Sequence, residues 1–361
     1  MSEVLVRIRV RETAGIRRFL YPLSAYVHLP EGADAAALCL VTEDGKAVPL
    51  QVTVDGEGRQ RCDFAVSLDP LAEQKLDVVT GGPKVHLDDP LSITRLQDGG
   101  FRSLQKRFRI EVDGSGNIAE VIYDGVDFLG PRKSTANHNG LPQRLHSVFS
   151  SSVDSKLNAW VQASGDYPTL RHGEQRRVTL CTEVSACKSW AFMRYRLEET
   201  VPNDSITFSL PLNFTQDVVT YDVGAGGGIY GKMERGTNGM RWVTELVDGV
   251  PQHWSVESIP REDYVGNYVP PESFLSQRWL HILDSDKVMA VAITNCPRAC
   301  RELEVVVNTY GVAITFQLGK TYSGPADFGV CYHFLNGVPA IAAATNPQSI
   351  LLPPVVEVLP V

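Results

Sequence analysis

Residues 223–239 read VGAGGGIYGKMERGTNG, a glycine-rich run between two strand-like segments. As a phosphate cradle it would make the fold α/β; as a bend it would leave the fold to the strands around it. A dinucleotide fingerprint needs G-x-G-x-x-G between a strand and a helix, because the helix N-terminus holds the pyrophosphate. Gly224-Ala225-Gly226-Gly227-Gly228 lacks that spacing, and no helical periodicity follows in 229–237. A P-loop needs Ser or Thr after Gly-Lys, whereas Met233 follows Gly231-Lys232. The stretch reads as a bend at the edge of a β-structure.

The rest of the chain agrees. In VLVRIRV (4–10), Val4, Val6, Ile8 and Val10 alternate with Arg7 and Arg9, the period of a half-buried strand. Asp44-Gly45 separates two apolar runs in 38–52, a hairpin signal. RFRIEVDGSGNIAEVIYDG (107–125), the run around Pro202-Asn203-Asp204, and RELEVVVNTYGVAITFQL (301–318) each give strand, turn, strand. ADAAALCL (33–40) allows only a short helix. Strand signals without strand–helix alternation predict an all-β fold of sandwich type. The Gly-, Pro- and Asp-rich segment 79–100 marks a boundary, so the expectation is a small sandwich over 1–90 and a larger one over 91–361.

Composition narrows the function classes. The 361 residues carry a net charge of −8 with no strongly basic region, which argues against a nucleic-acid partner. No apolar run approaches the length of a membrane helix, and the first residues do not read as a signal peptide. Seven cysteines without regular spacing suit a reducing compartment, and a cytoplasmic location is expected. The eight histidines show no H-x-x-x-H pattern, so neither metal nor cofactor is expected.

Sugars are bound by carboxylates, amides and guanidinium groups beside aromatic faces. The glycine stretch offers that mixture: Tyr230, Glu234, Arg235 and Asn238 within it, Asp222 before it, Trp242 and Trp254 after it. Acid/base chemistry at an anomeric centre would need a carboxylate and an imidazole, and Glu234 with His253 is the expected catalytic pair. Glycoside hydrolysis would instead pair Glu234 with Asp222 or Asp263, and a lyase could use Tyr264 or Tyr268. His138, in TANHNG, reads as a polar-loop histidine, and His281 and His333 as packing groups within strands.

The ordered segments also resemble a known family. YPLSAYVHLPEG (21–32), KRFRIEVDGSGNIAEVIYDGVDFL (106–129), GGGIYGKMERGTNG (226–239), RWLHILDSDKVMAVAITN (278–295) and ADFGVCYHFLNG (326–337) resemble, in order, the β-rich part of glycoside hydrolase family 38 α-mannosidases. The resemblance implies a small sandwich followed by a galactose-mutarotase-like supersandwich. It does not carry over those enzymes' zinc or aspartate nucleophile, which lie in a separate α/β barrel, and Gly236 replaces the family's Pro after Glu234-Arg235. The implied function is a carbohydrate-active protein using the concave face of the large sheet. The alternative is a non-catalytic subunit that binds glycan or docks on a separate catalytic chain.

Overall fold

The computed structural model describes residues 3–360, except 31, 55–56, 86, 151–155, 169–174, 216–217, 223–229, 235–238, 249, 260–277, 286, 309 and 338–346. The described chain is almost entirely β, as the alternation predicts.

The first seven strands are β1 (Val4–Arg11), β2 (Arg18–Tyr26), β3 (Leu38–Thr42), β4 (Ala47–Val48), β5 (Leu50–Val54), β6 (Gln60–Leu68) and β7 (Glu73–Thr80). They form two facing sheets, β1-β7-β3-β4 and β2-β6-β5. Their inward residues, among them Ile8, Leu40, Phe64, Val66 and Leu76, make one core. The Asp44-Gly45 turn closes as expected, with Thr42 N donating to Lys46 O at 2.9 Å. The run after it divides at Pro49. Ala47 and Val48 stay with β3, while Leu50–Val54 crosses to the other sheet. A proline cannot donate to a ladder, which makes it a natural place to leave one.

A meander follows, of β8 (Ser92–Arg95), β9 (Phe101–Leu104), β10 (Phe108–Val112), β11 (Ile118–Tyr123) and β12 (Val126–Asp127). Then come β13 (Thr135–His138), β14 (Arg144–Ser150), β15 (Asn158–Pro168), β16 (Gln175–Ser185), β17 (Trp190–Leu197), β18 (Ser205–Pro211), β19 (Val218–Asp222), β20 (Tyr230–Glu234), β21 (Gly239–Val247) and β22 (Val250–Ile259). The last are β23 (Trp279–Asp284), β24 (Lys287–Asn295), β25 (Cys300–Asn308), β26 (Gly311–Leu318), β27 (Ala326–Asn336) and β28 (Val355–Leu359).

These build a nine-stranded sheet, β14-β15-β16-β17-β27-β24-β23-β19-β20, and a six-stranded sheet, β13-β18-β26-β25-β21-β22. The main core combines residues of both with those of the meander, including Phe108, Ile110, Leu180, Tyr195, Phe208, Phe316 and Phe328. The segment around Pro202-Asn203-Asp204 is a crossover rather than a hairpin, because β17 belongs to the nine-stranded sheet and β18 to the six-stranded one. The final strand returns to the beginning: β28 pairs antiparallel with β1, and Arg11 Nη2 donates to Glu357 at 2.6 Å.

Candidate functional site

The nine-stranded sheet has two occupied faces. Along β15–β17, Val161, Leu180 and Tyr195 point into the main core. Their sequence neighbours point the other way and fall in register. Trp160, Glu183, Phe192 and Cys331 form one cross-strand row, and Gln162, Cys181, Arg194 and Gly329 the next. Directly opposed residues share a face.

Part of this outward face is covered by the first sandwich. On β6, Cys62, Phe64 and Val66 face their own core, while Arg61, Asp63 and Ala65 alternate towards the large sheet. Tyr21, Trp190, Trp279, Ala292, Cys331 and Ile350 close the apolar part of the joint. Arg18 fixes the helical turn at 347–351, donating from Nη1 to Ser349 O at 2.7 Å.

Beside that seal the joint opens into a cavity of about 760 Å³, within the size range of small-molecule sites. Its lining includes Tyr26 and Arg59 from the first sandwich, and Gln162, Thr179, Phe192 and Arg194 from the large sheet. Gly329 shapes the floor. A Cβ there would stand 2.5 Å from Thr294 Oγ1, and the absence of a side chain lets the β24 bulge between Ile293 and Asn295 approach.

A charged network joins the two walls. Arg61 donates from Nε to Asp63 Oδ1 at 2.8 Å and from Nη2 to Glu183 Oε1 at 2.6 Å. Asn158 Nδ2 donates to the same two oxygens, at 3.1 and 2.6 Å. The two carboxyl groups are driven apart in pKa. Burial pushes Asp63 up, against the pull of Arg61, because its side chain is only 3% exposed. Burial opposes the Glu183 anion too, but Arg61 and Asn158 outweigh it and hold that carboxyl below its usual range. Glu183 keeps 27% of its side chain exposed. Two buried acceptors of the network, Asp63 Oδ2 and Asn158 Oδ1, have no hydrogen-bond partner among the described residues. Nearby, Arg194 Nε lies 2.8 and 2.7 Å from the Asp327 oxygens, and the Arg59 guanidinium stacks over the Tyr26 ring at 4.1 Å.

On their strands, the residues singled out from sequence are described only in their backbone. Asp222, on β19, is opposite Tyr230 on β20 and His281 on β23. Glu234 is opposite Val218, on the outermost strand of the nine-stranded sheet. Trp242, His253 and Trp254 lie on β21 and β22, at the margin of the six-stranded sheet. Glu234 and His253 thus sit on edge strands of different sheets. The side chains of these six residues, with Arg235, Asn238, Asp263, Tyr264 and Tyr268 entirely, lie outside the described residues.

Of the other histidines, His138 is no loop residue. It ends β13 fully buried, with Nε2 3.0 Å from Asp204 Oδ1 and its ring stacked on Tyr167 at 3.5 Å. His281 and His333 pack within the sheet as expected, and burial drives the His333 pKa down to about 3. Among the described residues no three His, Cys, Asp or Glu side chains cluster as a metal site would require, and no helix is long and apolar enough to cross a membrane.

The sequence does contain a signal for the cavity. On the outward positions of three consecutive strands, 158–166, 175–185 and 190–196, every second residue except Cys181 is polar, charged or aromatic, which is more chemistry than a solvated face needs.

No protein-family profile matches the chain, and no curated protein matches it. Solved structures do. A glycosyl hydrolase family 38 protein from Enterococcus faecalis superposes with a TM-score of 0.56 at 10% identity, over 99% of this chain and 47% of its own. An alpha-mannosidase from Enterococcus faecalis V583 gives 0.54 at 10% identity, over 100% of this chain and 46% of its own. A galactose 1-epimerase from Lactobacillus acidophilus NCFM covers 70% of this chain at 9% identity, but with a TM-score of 0.40 it is too distant to argue from. This chain spans about half the length of the two Enterococcus structures. It shares the fold of that half, as the resemblance implied.

Proposed function

We propose that this protein binds carbohydrate in the cavity between the first sandwich and the outward face of the nine-stranded sheet. The observation that carries the reading is a cavity of about 760 Å³ walled by this charged network, with two buried atoms, Asp63 Oδ2 and Asn158 Oδ1, that have no hydrogen-bond partner among the described residues. Buried polar atoms are nearly always hydrogen-bonded, and sugar hydroxyl groups, which both donate and accept, can satisfy Asn158 Oδ1 and, in either protonation state, Asp63 Oδ2. Gln162, Thr179 and Arg194 add polar contacts, and Phe192 and Tyr26 supply faces for sugar C–H groups. The shared fold with a family 38 structure supports a carbohydrate ligand without fixing it.

A second reading is favoured by Asp63 and Glu183. A carboxyl whose pKa is pushed up beside one whose pKa is held down is the arrangement of a general acid and a general base. Acid/base turnover of a glycoside or free sugar could use this pair, and the reading with Glu234 and His253 is its competitor.

The test is a calorimetric and NMR screen of mono- and disaccharides against the wild type, Gln162→Leu/Arg194→Ala and Glu234→Gln, with products followed over hours. Binding weakened at least about tenfold in the cavity variant and unchanged in Glu234→Gln supports the proposal; each lost contact is worth about 1 kcal/mol. The reverse pattern moves the site to the edge strands. Binding without products leaves a glycan-binding module, and the absence of any binding rejects the proposal in favour of a docking subunit.

A further inference from the structure

Two cross-strand rows of the nine-stranded sheet lead out of the cavity to the β14 edge. In one, Phe149 stands opposite Gln162, Gln162 opposite Cys181, and Cys181 opposite Arg194. In the other, Ser147 stands opposite Ser164, Ser164 opposite Thr179, and Thr179 opposite Arg196. Opposed residues share a face, so Phe149, Ser147 and Ser164 continue the surface that Gln162, Thr179, Arg194 and Arg196 begin in the cavity lining. The span from β17 to β14 is three strand spacings, roughly 14 Å.

The far end of this surface is aromatic. The Phe149 ring stacks on Trp160, with 5.2 Å between centroids and 29° between planes. Trp160 is buried in the cavity wall, whereas Phe149 is 43% exposed on the outermost strand. One face of the phenyl is covered by the indole, so the exposure falls on the opposite face and the rim. The polar groups between are already ordered. Ser164 Oγ lies 3.3 Å from Thr179 Oγ1, and Arg194 is clasped by both Asp327 oxygens. Side chains held in place lose little freedom when a ligand arrives. The guanidinium charges are met within the chain, Arg194 by Asp327 and Arg196 by Glu57 at 3.6 Å.

We propose that the ligand is an uncharged oligosaccharide, with one unit in the cavity and further units laid across the outward face of β16, β15 and β14 to Phe149. The inference rests on the carbohydrate reading above and gives it a substrate class. Three features select a sugar chain. The surface is longer than one sugar ring. Its hydroxyl and amide groups, on Ser147, Ser164, Thr179 and Gln162, both donate and accept, as sugar hydroxyls do. The large apolar group at its end is a single fixed ring, which suits the C–H face of a sugar better than the broad apolar patch that a protein partner covers. The paired charges leave no excess that would call for an acidic chain.

The experiment measures, by calorimetry, the affinity of gluco-, manno- and galacto-oligosaccharides of one to five units for the full chain, Phe149→Ala and Phe149→Trp. In the series that binds, the wild type should gain at least about tenfold from monomer to trimer, which is about 1.4 kcal/mol of added contact. Phe149→Ala should bring the trimer-to-monomer ratio close to one, and Phe149→Trp should keep it. Monomer binding that does not strengthen with length overturns the inference and leaves the proposed function standing. So does a Phe149→Ala chain that loses monomer and trimer affinity in equal proportion, because the ring would then serve only to support Trp160. No binding at any length rejects both readings, and a wild-type dimer that Phe149→Ala converts to monomer would then give this surface to a second copy of the chain.

Discussion

The two faces of β15–β17 are made by the same three strands, yet they differ in almost every property. Inward, Val161, Leu180 and Tyr195 form a close-packed apolar layer. Outward, one residue along the chain in each case, stand Gln162, Cys181 and Arg194, which line a cavity and meet a second sandwich. A period of two thus encodes a core and a candidate site together. The difference teaches that the inner face is specified by the sheet alone, whereas the outer face has meaning only once another part of the chain is laid over it.

The contrast can be broken from the inside first. Phe328 is fully buried, 5.4 Å from Phe316 between ring centroids. Phe328→Ala should cost about 3–5 kcal/mol in urea unfolding, because the surrounding rings cannot collapse into the space. A cost below about 1 kcal/mol would mean that the inner layer is not packed as described. Arg61→Ala tests the outer face. It leaves Glu183 without its cation and removes a donor from Asp63, and a loss of about 2–3 kcal/mol is expected. Glu183→Gln in the Arg61→Ala background should restore part of that loss, since it removes the uncompensated charge; simple additivity would show that the two groups do not interact.

The smallest effect concerns pH. His333 is held neutral by burial, and next by the charges of Lys188 and His281, with its pKa at about 3. The unfolded imidazole titrates near 6.5, so between those values the unfolded chain binds the extra proton. Stability is therefore complete above about pH 6.5 and declines as the pH falls towards 3, by at most about 1.4 kcal/mol per pH unit from this group. Between pH 6.5 and 5, where the raised Asp63 carboxyl contributes alike to both proteins, the wild type should lose more stability than His333→Phe as the pH falls. An unchanged slope would place the titrating group elsewhere.

Much of the architecture was legible because it is local. The alternation in 4–10 gave β1, and the turns at Asp44-Gly45 and Gly311 mark real hairpins. What failed depends on distant partners. Nothing near Pro202 says that β17 and β18 enter different sheets. TANHNG looks polar, yet His138 is buried because Asp204 and Tyr167 close over it. The cavity was hidden for the same reason. Asp63 and Glu183 are acidic residues in unrelated strands, and only the docking of β6 on β15 and β16 gives them one arginine to share. The glycine-rich stretch drew attention by its composition, a local property, while the described cavity is built from residues that look ordinary one strand at a time.

The pairing of β28 with β1 bears on how the protein is made. Arg9 and Glu357 are bonded across 348 positions of sequence. On the ribosome β1 emerges long before β28, so the first sheet spends most of translation with a bare edge. Such an edge invites pairing with another nascent chain. Arg7 is held by Asp77 of β7, but the outward Arg9 and Arg11 put positive charge along the edge, and two identical edges would repel. When β28 arrives, Glu357 accepts from Arg9 and Arg11, and the residues that kept strangers away become the ones that hold the final strand.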